Sequence, residues 1–224
     1  MDDLLRLEGV SLESDEGRMV FRKLHWSLPP GGRARFHAPS TAVTSALLRL
    51  CAGLSDPQEG QVILNGIPFS PHAFGHPFLR EGGIGWVPQE RGLLSNLSLC
   101  ANVALPLRFL RGHPRPRAEE LAREWLEATG LSARAQDRPH ALEPRECWLG
   151  AVVRAAALEP RLWLLDRPPS GLTQRERAHA SRILREAAAK PETAFLIAGD
   201  ADGGEIAAMD FDIAKGPVGT GGTP

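Results

Sequence analysis

Tyrosine is absent from the 224 residues, and cysteine is scarce: Cys51, Cys100 and Cys147 stand far apart with no C-x-x-C spacing. That spacing excludes a zinc knuckle and a disulfide framework, and it fits a reducing compartment. No apolar run approaches the roughly 20 residues needed to span a bilayer, so a membrane link is expected to pass through a partner. The opening Met1-Asp2-Asp3 is acidic and does not read as a signal peptide. Charge is nearly balanced, 26 Lys and Arg against 27 Asp and Glu, so no basic field points to nucleic acid. The seven histidines show no metal-ligand spacing. What is present is 42% hydrophobic residues over a length that buries a full core, which suits one domain carrying a lobe.

Alternation over Leu4–Leu12 predicts an edge strand, followed by strands over Val20–Leu28 and Arg33–Phe36. A helix is expected over Ser45–Ala52, closed by Gly53. Gln61–Leu64, Asn65-Gly66 and Ile67–Phe69 read as a hairpin, because Asn-Gly suits a two-residue turn. Ile84–Val87 is a short strand. From about 93 to 158 the pattern turns helical: Asn102–Leu110, which Pro106 should kink or restart, then Ala118–Thr129 and Cys147–Leu158. Arg161–Leu165 and Thr193–Ala198 read as buried strands. Between them, Thr173-Gln174-Arg175-Glu176 is a capping box opening a helix to Ala189. This order predicts an α/β fold with a mixed sheet, an N-terminal antiparallel β part and a helical lobe. It places one domain over 1–215, with a Gly-rich flexible tail over 216–224.

Residues 37–48, His-Ala-Pro-Ser-Thr-Ala-Val-Thr-Ser-Ala-Leu-Leu, have the framing of a phosphate-binding loop without its chemistry. Laid on the pattern G-x-x-x-x-G-K-[ST], the first Gly is Ala38, the second is Val43, the Lys is Thr44, and only Ser45 survives. Such a loop wraps phosphate oxygens with backbone N–H groups in conformations that Gly reaches readily. Thr41 and Val43 are β-branched and resist positive φ. Thr44 brings no charge. Ser45 is either a remaining magnesium contact or simply a helix N-cap.

Three further runs resemble ATP-binding cassette (ABC) ATPases. Residues 157–172, Ala-Leu-Glu-Pro-Arg-Leu-Trp-Leu-Leu-Asp-Arg-Pro-Pro-Ser-Gly-Leu, resemble the family's second magnesium motif and following loop. Gly85-Trp86-Val87-Pro88-Gln89 resembles its Q-loop. Cys51-Ala52-Gly53-Leu54 with Gly60-Gln61-Val62-Ile63-Leu64-Asn65-Gly66 resembles the stretch after the phosphate loop. Leu97–Leu107 is similar to cassettes of MCE-type (Mla-like) lipid transporters, and methionine and lipoprotein transport cassettes look alike there. The resemblance covers roughly residues 4–200. It implies a P-loop NTPase (RecA-like) core, ATP and magnesium as ligands, a permease as partner and ATP hydrolysis as the family activity.

Carried over residue by residue, most of that equipment is missing. The adenine-stacking aromatic falls at about Ser14. The signature Leu-Ser-Gly-Gly-Gln falls on Leu142-Glu143-Pro144-Arg145-Glu146, which turns two carboxylates toward a γ-phosphate and loses both glycines. The general-base Glu is Arg167, whose guanidinium cannot accept a proton near neutral pH. The switch His falls on Gly199, and the loop Asp after Ser-Gly-Leu is Thr173. Gln89 and Asp166 are retained, each with a structural alternative: Gln89 as part of a permease contact, Asp166 as the cap of a turn. Arg167 offers itself as an anion clamp in place of the lost Lys.

The sequence therefore leads to a degenerate ABC subunit, a pseudo-ATPase with a structural or regulatory role in a membrane transport complex that handles lipid. The alternative is an unusual ATPase built on Ser45, Asp166 and Arg167. No cofactor is assigned from the residues themselves; ATP and magnesium follow from the resemblance alone. The expected partners are an integral membrane permease and a second cassette, as homodimer or as heterodimer with an intact ABC chain, at the inner face of the cell membrane. Docking is expected through Gln89, Leu93, Leu94, Leu97 and Leu99, with one or two of these leucines exposed.

Overall fold

The computed structural model describes residues 3–13, 19–36, 41–72, 75–80, 83–89, 92–167 and 171–198. Ser14, Ala38, Gly199 and the tail lie outside them.

Four strands, β1 (Leu5–Glu13), β2 (Met19–Leu28), β4 (Glu59–Leu64) and β5 (Ile67–Phe69), form an antiparallel sheet in the order β2-β1-β4-β5. β1 is therefore an interior strand, with Leu5 opposite Leu28 on one side and Leu64 on the other. Alternation reports which face is buried and says nothing of lateral neighbours, which is why the edge reading fails. The β4–β5 hairpin forms as expected, with Asn65 at φ 50° and Gly66 at φ 78°. Both central residues are left-handed, the geometry that matches the twist of the flanking strands.

The second sheet is parallel, in the order β3 (Arg33–Phe36), β8 (Ala194–Ala198), β7 (Leu162–Leu165), β6 (Ile84–Val87). The α/β fold is thus a mixed one whose antiparallel and parallel strands are segregated into two sheets. β7 and β8 are buried at every residue, as strands covered on both faces must be. Their side chains alternate between two cores. Leu162, Leu164 and Leu196 join Leu47, Leu48 and Leu50 of α1 (Thr41–Cys51). Trp163, Leu165, Phe195 and Ile197 join the helical lobe, and the rings of Trp163 and Phe195 stack with centroids 6.1 Å apart. Cys51 sits in the first core, where burial pushes its thiol pKa up to about 12. All three cysteines are free thiols.

A short α2 (Pro77–Arg80) precedes β6, and the lobe follows as α3 (Leu99–Phe109), α4 (Arg115–Ala128) and α5 (Pro144–Ala156). α3 begins three residues earlier than expected, because Ser98 caps it by accepting from the Ala101 N–H. Its first free amides are used as well, Leu99 N–H donating to Asp137 and Cys100 N–H to Ala135. Pro106 neither stops nor restarts the helix. It removes one donor, and with both helix ends satisfied and Val103, Ala104 and Leu107 buried, the helix runs through it. α6 (Gln174–Ala188) connects β7 to β8 and opens on the Thr173–Glu176 capping box. Among the described residues no helix is long and apolar enough to cross a membrane, and no group of His, Cys, Asp or Glu could hold a metal ion.

Candidate functional site

In an open parallel sheet, ligands bind outside the carboxyl ends of the strands. Here β3 leads toward α1, β7 ends at Asp166-Arg167, and β6 ends near Gln89. α1 starts at Thr41, so residues 41–44 are helical and are not part of an extended cradle. The reason lies in the side chains: without Gly, the β-branched Val43 and Thr44 adopt the right-handed helical region and not positive φ. Ser45 is consequently inside the helix, and the N-cap reading is replaced by a tertiary one. Its hydroxyl donates to Asp166 Oδ2 at 2.6 Å.

Asp166 is 2% exposed, and its backbone N–H donates to the Val87 carbonyl at 2.8 Å. Its other carboxylate oxygen accepts the Arg167 backbone N–H at 2.9 Å. The two retained polar residues thus satisfy each other and tie α1 to β7. Thr44, at the lysine position, is buried, and the only cation of α1 is Arg49 in its last turn. The chain's three lysines, Lys23, Lys190 and Lys215, lie elsewhere in the sequence. A hydroxyl and a carboxylate that could face a divalent cation are present. Among the described residues of the phosphate-loop pattern, 41–45, there is no Lys or Gly to hold a phosphate, so these residues do not fit a magnesium-nucleotide.

Removing the hydroxyl should be costly. A hydrogen bond to a charged group contributes about 1.5–3 kcal/mol when its loss leaves the buried partner under-satisfied. For a chain of this size that is a fall in Tm of roughly 3–12 °C. Ser45→Ala is expected to show it in a calorimetric melt; an unchanged Tm would mean that Asp166 is solvated by other means.

The residues at the signature position open α5. Leu142 is buried in the lobe, and Pro144 is the first helical residue, where its missing N–H and fixed φ do least harm. The structure places the two carboxylates of this segment differently. Glu143 is exposed and pairs with Arg145. Glu146 turns inward: one oxygen accepts the Glu143 backbone N–H at 2.9 Å, and the other lies 3.3 Å from Arg134 Nε. It turns because a carboxylate in the first turn finds free amides and the positive end of the helix within reach. Arg145 also reaches Glu176 at 3.1 Å, and Glu176 is the acceptor of the Thr173 N–H in the α6 capping box. Arg134 further pairs with Asp137 at 2.8 Å.

Beside Gln89, residues 92–98 form a loop laid on α5. Leu93 and Leu99 are core residues, not docking residues: both pack over Gly150, where a Cβ would stand 2.6 Å from Leu99 Cδ1. Gln89 and Leu97 are half-buried. Leu94 alone of the four leucines is exposed, at 46%. Its position is fixed by Asn102, a fully buried residue on α3. Asn102 Oδ1 accepts the Leu94 N–H at 2.7 Å, and Nδ2 donates toward the carbonyls of Leu94, Leu97 and Ser98 at 3.1, 3.3 and 3.1 Å.

Asn102 and Arg134 were not among the site residues singled out from sequence, and Glu176 was read only as part of a capping box. Asn102 carried a signal, a lone amide in the apolar run Leu99–Leu107. The contact of Arg145 with Glu176 carried none, being set by tertiary packing across 31 positions.

The ABC transporter family model matches residues 21–170. The lipoprotein-releasing system ATP-binding protein LolD of Chromohalobacter salexigens is 32% identical over 200 residues, covering 87% of this chain and 83% of that protein. The Fe(3+) ions import ATP-binding protein FbpC 2 of Pectobacterium atrosepticum is 28% identical over 99% of this chain, which spans 63% of that protein's length. Among solved structures, a dimeric post-hydrolysis state of the ATP-binding cassette MJ0796 bound to ADP and Pi superposes with a TM-score of 0.76, at 21% identity over 92% of this chain and 90% of that one. A cbiO1 structure from Clostridium perfringens, part of the ABC transporter complex cbiONQ, gives 0.64 at 19% identity over 89% of this chain and 79% of that one. The fold and the order of its motifs are those of an ABC cassette. This chain belongs to the ABC transporter ATP-binding family.

Proposed function

We propose that this member of the family is a pseudo-ATPase, a non-hydrolysing cassette that serves a membrane transport complex as a structural or regulatory subunit. The observation that carries the reading is the N-terminus of α5. Amides that could hold a phosphate there are taken by the chain's own carboxylates: Glu146 accepts the Glu143 N–H and the Glu143 side chain accepts the Glu146 N–H. Support from the other half comes from α1, where no Lys or Gly remains to hold a phosphate. In a homodimer both composite sites combine two damaged halves. In a heterodimer the partner's intact phosphate loop would meet the exposed Glu143 and Pro144, which lacks a backbone N–H.

The retained role is docking. Leu94 projects from a loop pinned by Asn102 and packed on α5, so a permease helix seated there would bear directly on the cassette's interior. The permease holds the chain at the inner face of the cell membrane. The similarity to a lipoprotein-releasing system ATP-binding protein supports lipid-linked cargo. The rival reading, an unusual ATPase, rests on the Ser45–Asp166 pair and on Arg167.

Docking is tested by capturing the complex from the membranes of its own cells through a tag on this chain. Leu94→Asp buries a charge at the contact and is expected to abolish co-purification of the permease; Leu97→Asp should weaken it. Asp166→Ala should leave the complex intact. The reverse pattern, with Asp166→Ala releasing the permease and both leucine variants still bound, would show that a nucleotide-linked site governs assembly.

A further inference from the structure

Residues 108–117 form the tip of the helical lobe, from the last turn of α3 to the first turn of α4. The run reads Arg-Phe-Leu-Arg-Gly-His-Pro-Arg-Pro-Arg, four arginines without a carboxylate. Every residue in it except His113 is exposed. Phe109 is 72% exposed and Leu110 39%, an adjacent pair among the few large apolar side chains that the described residues leave in water. Gly112, at φ 70°, makes the reversal, and Pro114 and Pro116 stiffen the entry to α4.

The tip is anchored from behind and charged in front. The Arg111 guanidinium donates to the Leu158 carbonyl, fixing the turn to the end of α5. The Arg108 guanidinium lies 5.5 Å from the Phe109 ring centroid, so cation and ring present one surface. The nearest carboxylates sit on α4: Glu119 pairs with Arg115 and Glu120 with Arg117, each at 2.7 Å. Both are C-terminal to the run in sequence; Glu119 also faces Arg108 and Glu159 faces Arg111, while Phe109 and Leu110 stand clear at the leading edge.

We propose that this tip seats on an anionic lipid surface, with Phe109 and Leu110 at the boundary of headgroups and acyl chains and Arg108, Arg115 and Arg117 on the lipid phosphates. Charge complementarity selects this occupant. An exposed aromatic–leucine pair ringed by arginines matches the interfacial layer of an anionic bilayer, where apolar insertion and phosphate attraction act together. Two side chains on a convex turn offer far less than the roughly 800 Å² per partner of a stable protein interface. A bilayer demands no shape complementarity. The contact is independent of whether the cassette hydrolyses ATP and adds a direct lipid contact to any permease contact.

The test is flotation of the purified full chain with phosphatidylcholine vesicles, pure or containing about one third phosphatidylglycerol. Binding to the anionic vesicles should exceed binding to the neutral ones by about tenfold or more and should fall steeply as salt rises. Arg108→Gln should weaken it about fivefold. Phe109→Ser should weaken it by about tenfold. Arg138→Gln, the same charge loss at an exposed site elsewhere in the lobe, should change little. Hydrogen exchange without any mutation gives an independent readout, since amides of residues 107–113 should slow on anionic vesicles. The proposal is overturned by equal binding to both vesicle types, or by binding that ignores Arg108→Gln and Phe109→Ser alike. It is also overturned if those amides slow only when a membrane protein is present, which would make the tip a protein contact.

Discussion

Titration calorimetry of the full chain with Mg-ATP is expected to show an affinity at least about a hundredfold below that of an intact cassette. A lost charge-assisted contact from a lysine to the outer phosphates removes about 1.5–3 kcal/mol. A lost aromatic platform for adenine removes about 1 kcal/mol more. Either sum is near or beyond the roughly 2.7 kcal/mol that a hundredfold represents. The structure adds a third contribution. With α1 helical from Thr41, the amides of residues 45–48 and those after them are engaged in the helix and are not free to wrap an anion. Ser45 would also have to give up its 2.6 Å bond to Asp166 to reach a metal ion. A micromolar dissociation constant would show that the residues around α1 bind phosphate by a route that needs neither Lys nor Gly.

Turnover by Arg167→Glu is expected to stay at background. Restoring a carboxylate after Asp166 supplies the group that the family uses as general base, and general-base catalysis is worth typically ~10²–10⁴-fold. That factor multiplies only the population of correctly held substrate. Thr44 is buried and uncharged at the position where a phosphate would need a cation, and Glu146 occupies the α5 N-terminus. The variant therefore repairs a step whose substrate is absent. Phosphate release above that of the parent chain, measured with a coupled assay and abolished by Asp166→Ala, would instead support the unusual-ATPase reading and overturn the pseudo-ATPase one.

Much of the fold was legible because it is written in local chemistry. Asn65-Gly66 dictates a hairpin, Thr173 with Glu176 dictates a helix start, and the unbroken apolar runs over 162–165 and 194–198 can only be strands covered on both sides. Other features failed because they depend on a partner far away in the chain. β1 was expected at an edge, yet it lies between β2 and β4, since nothing within Leu5–Glu13 tells how many strands flank it. Pro106 was expected to kink or restart the helix, yet α3 runs from Leu99 to Phe109 through it, its first amides held by Asp137 and Ala135.

The candidate site divides in the same way. The sequence by itself determined which chemistry is missing: no Lys or Gly in the phosphate loop, Pro144 and two glutamates at the signature, Arg167 where a base would stand. Absence of a functional group is a property of composition and needs no coordinates. Only the tertiary structure decided what the remaining groups do. It bonded Ser45 to Asp166 across 121 positions, brought Arg145 to Glu176, sank Leu93 and Leu99 into the core, and left Leu94 outside on a loop held by Asn102. Buried polar groups take whatever partner packing brings within reach, because leaving one unpaired costs about 1–3 kcal/mol, and that partner is chosen by the fold and not by sequence neighbours.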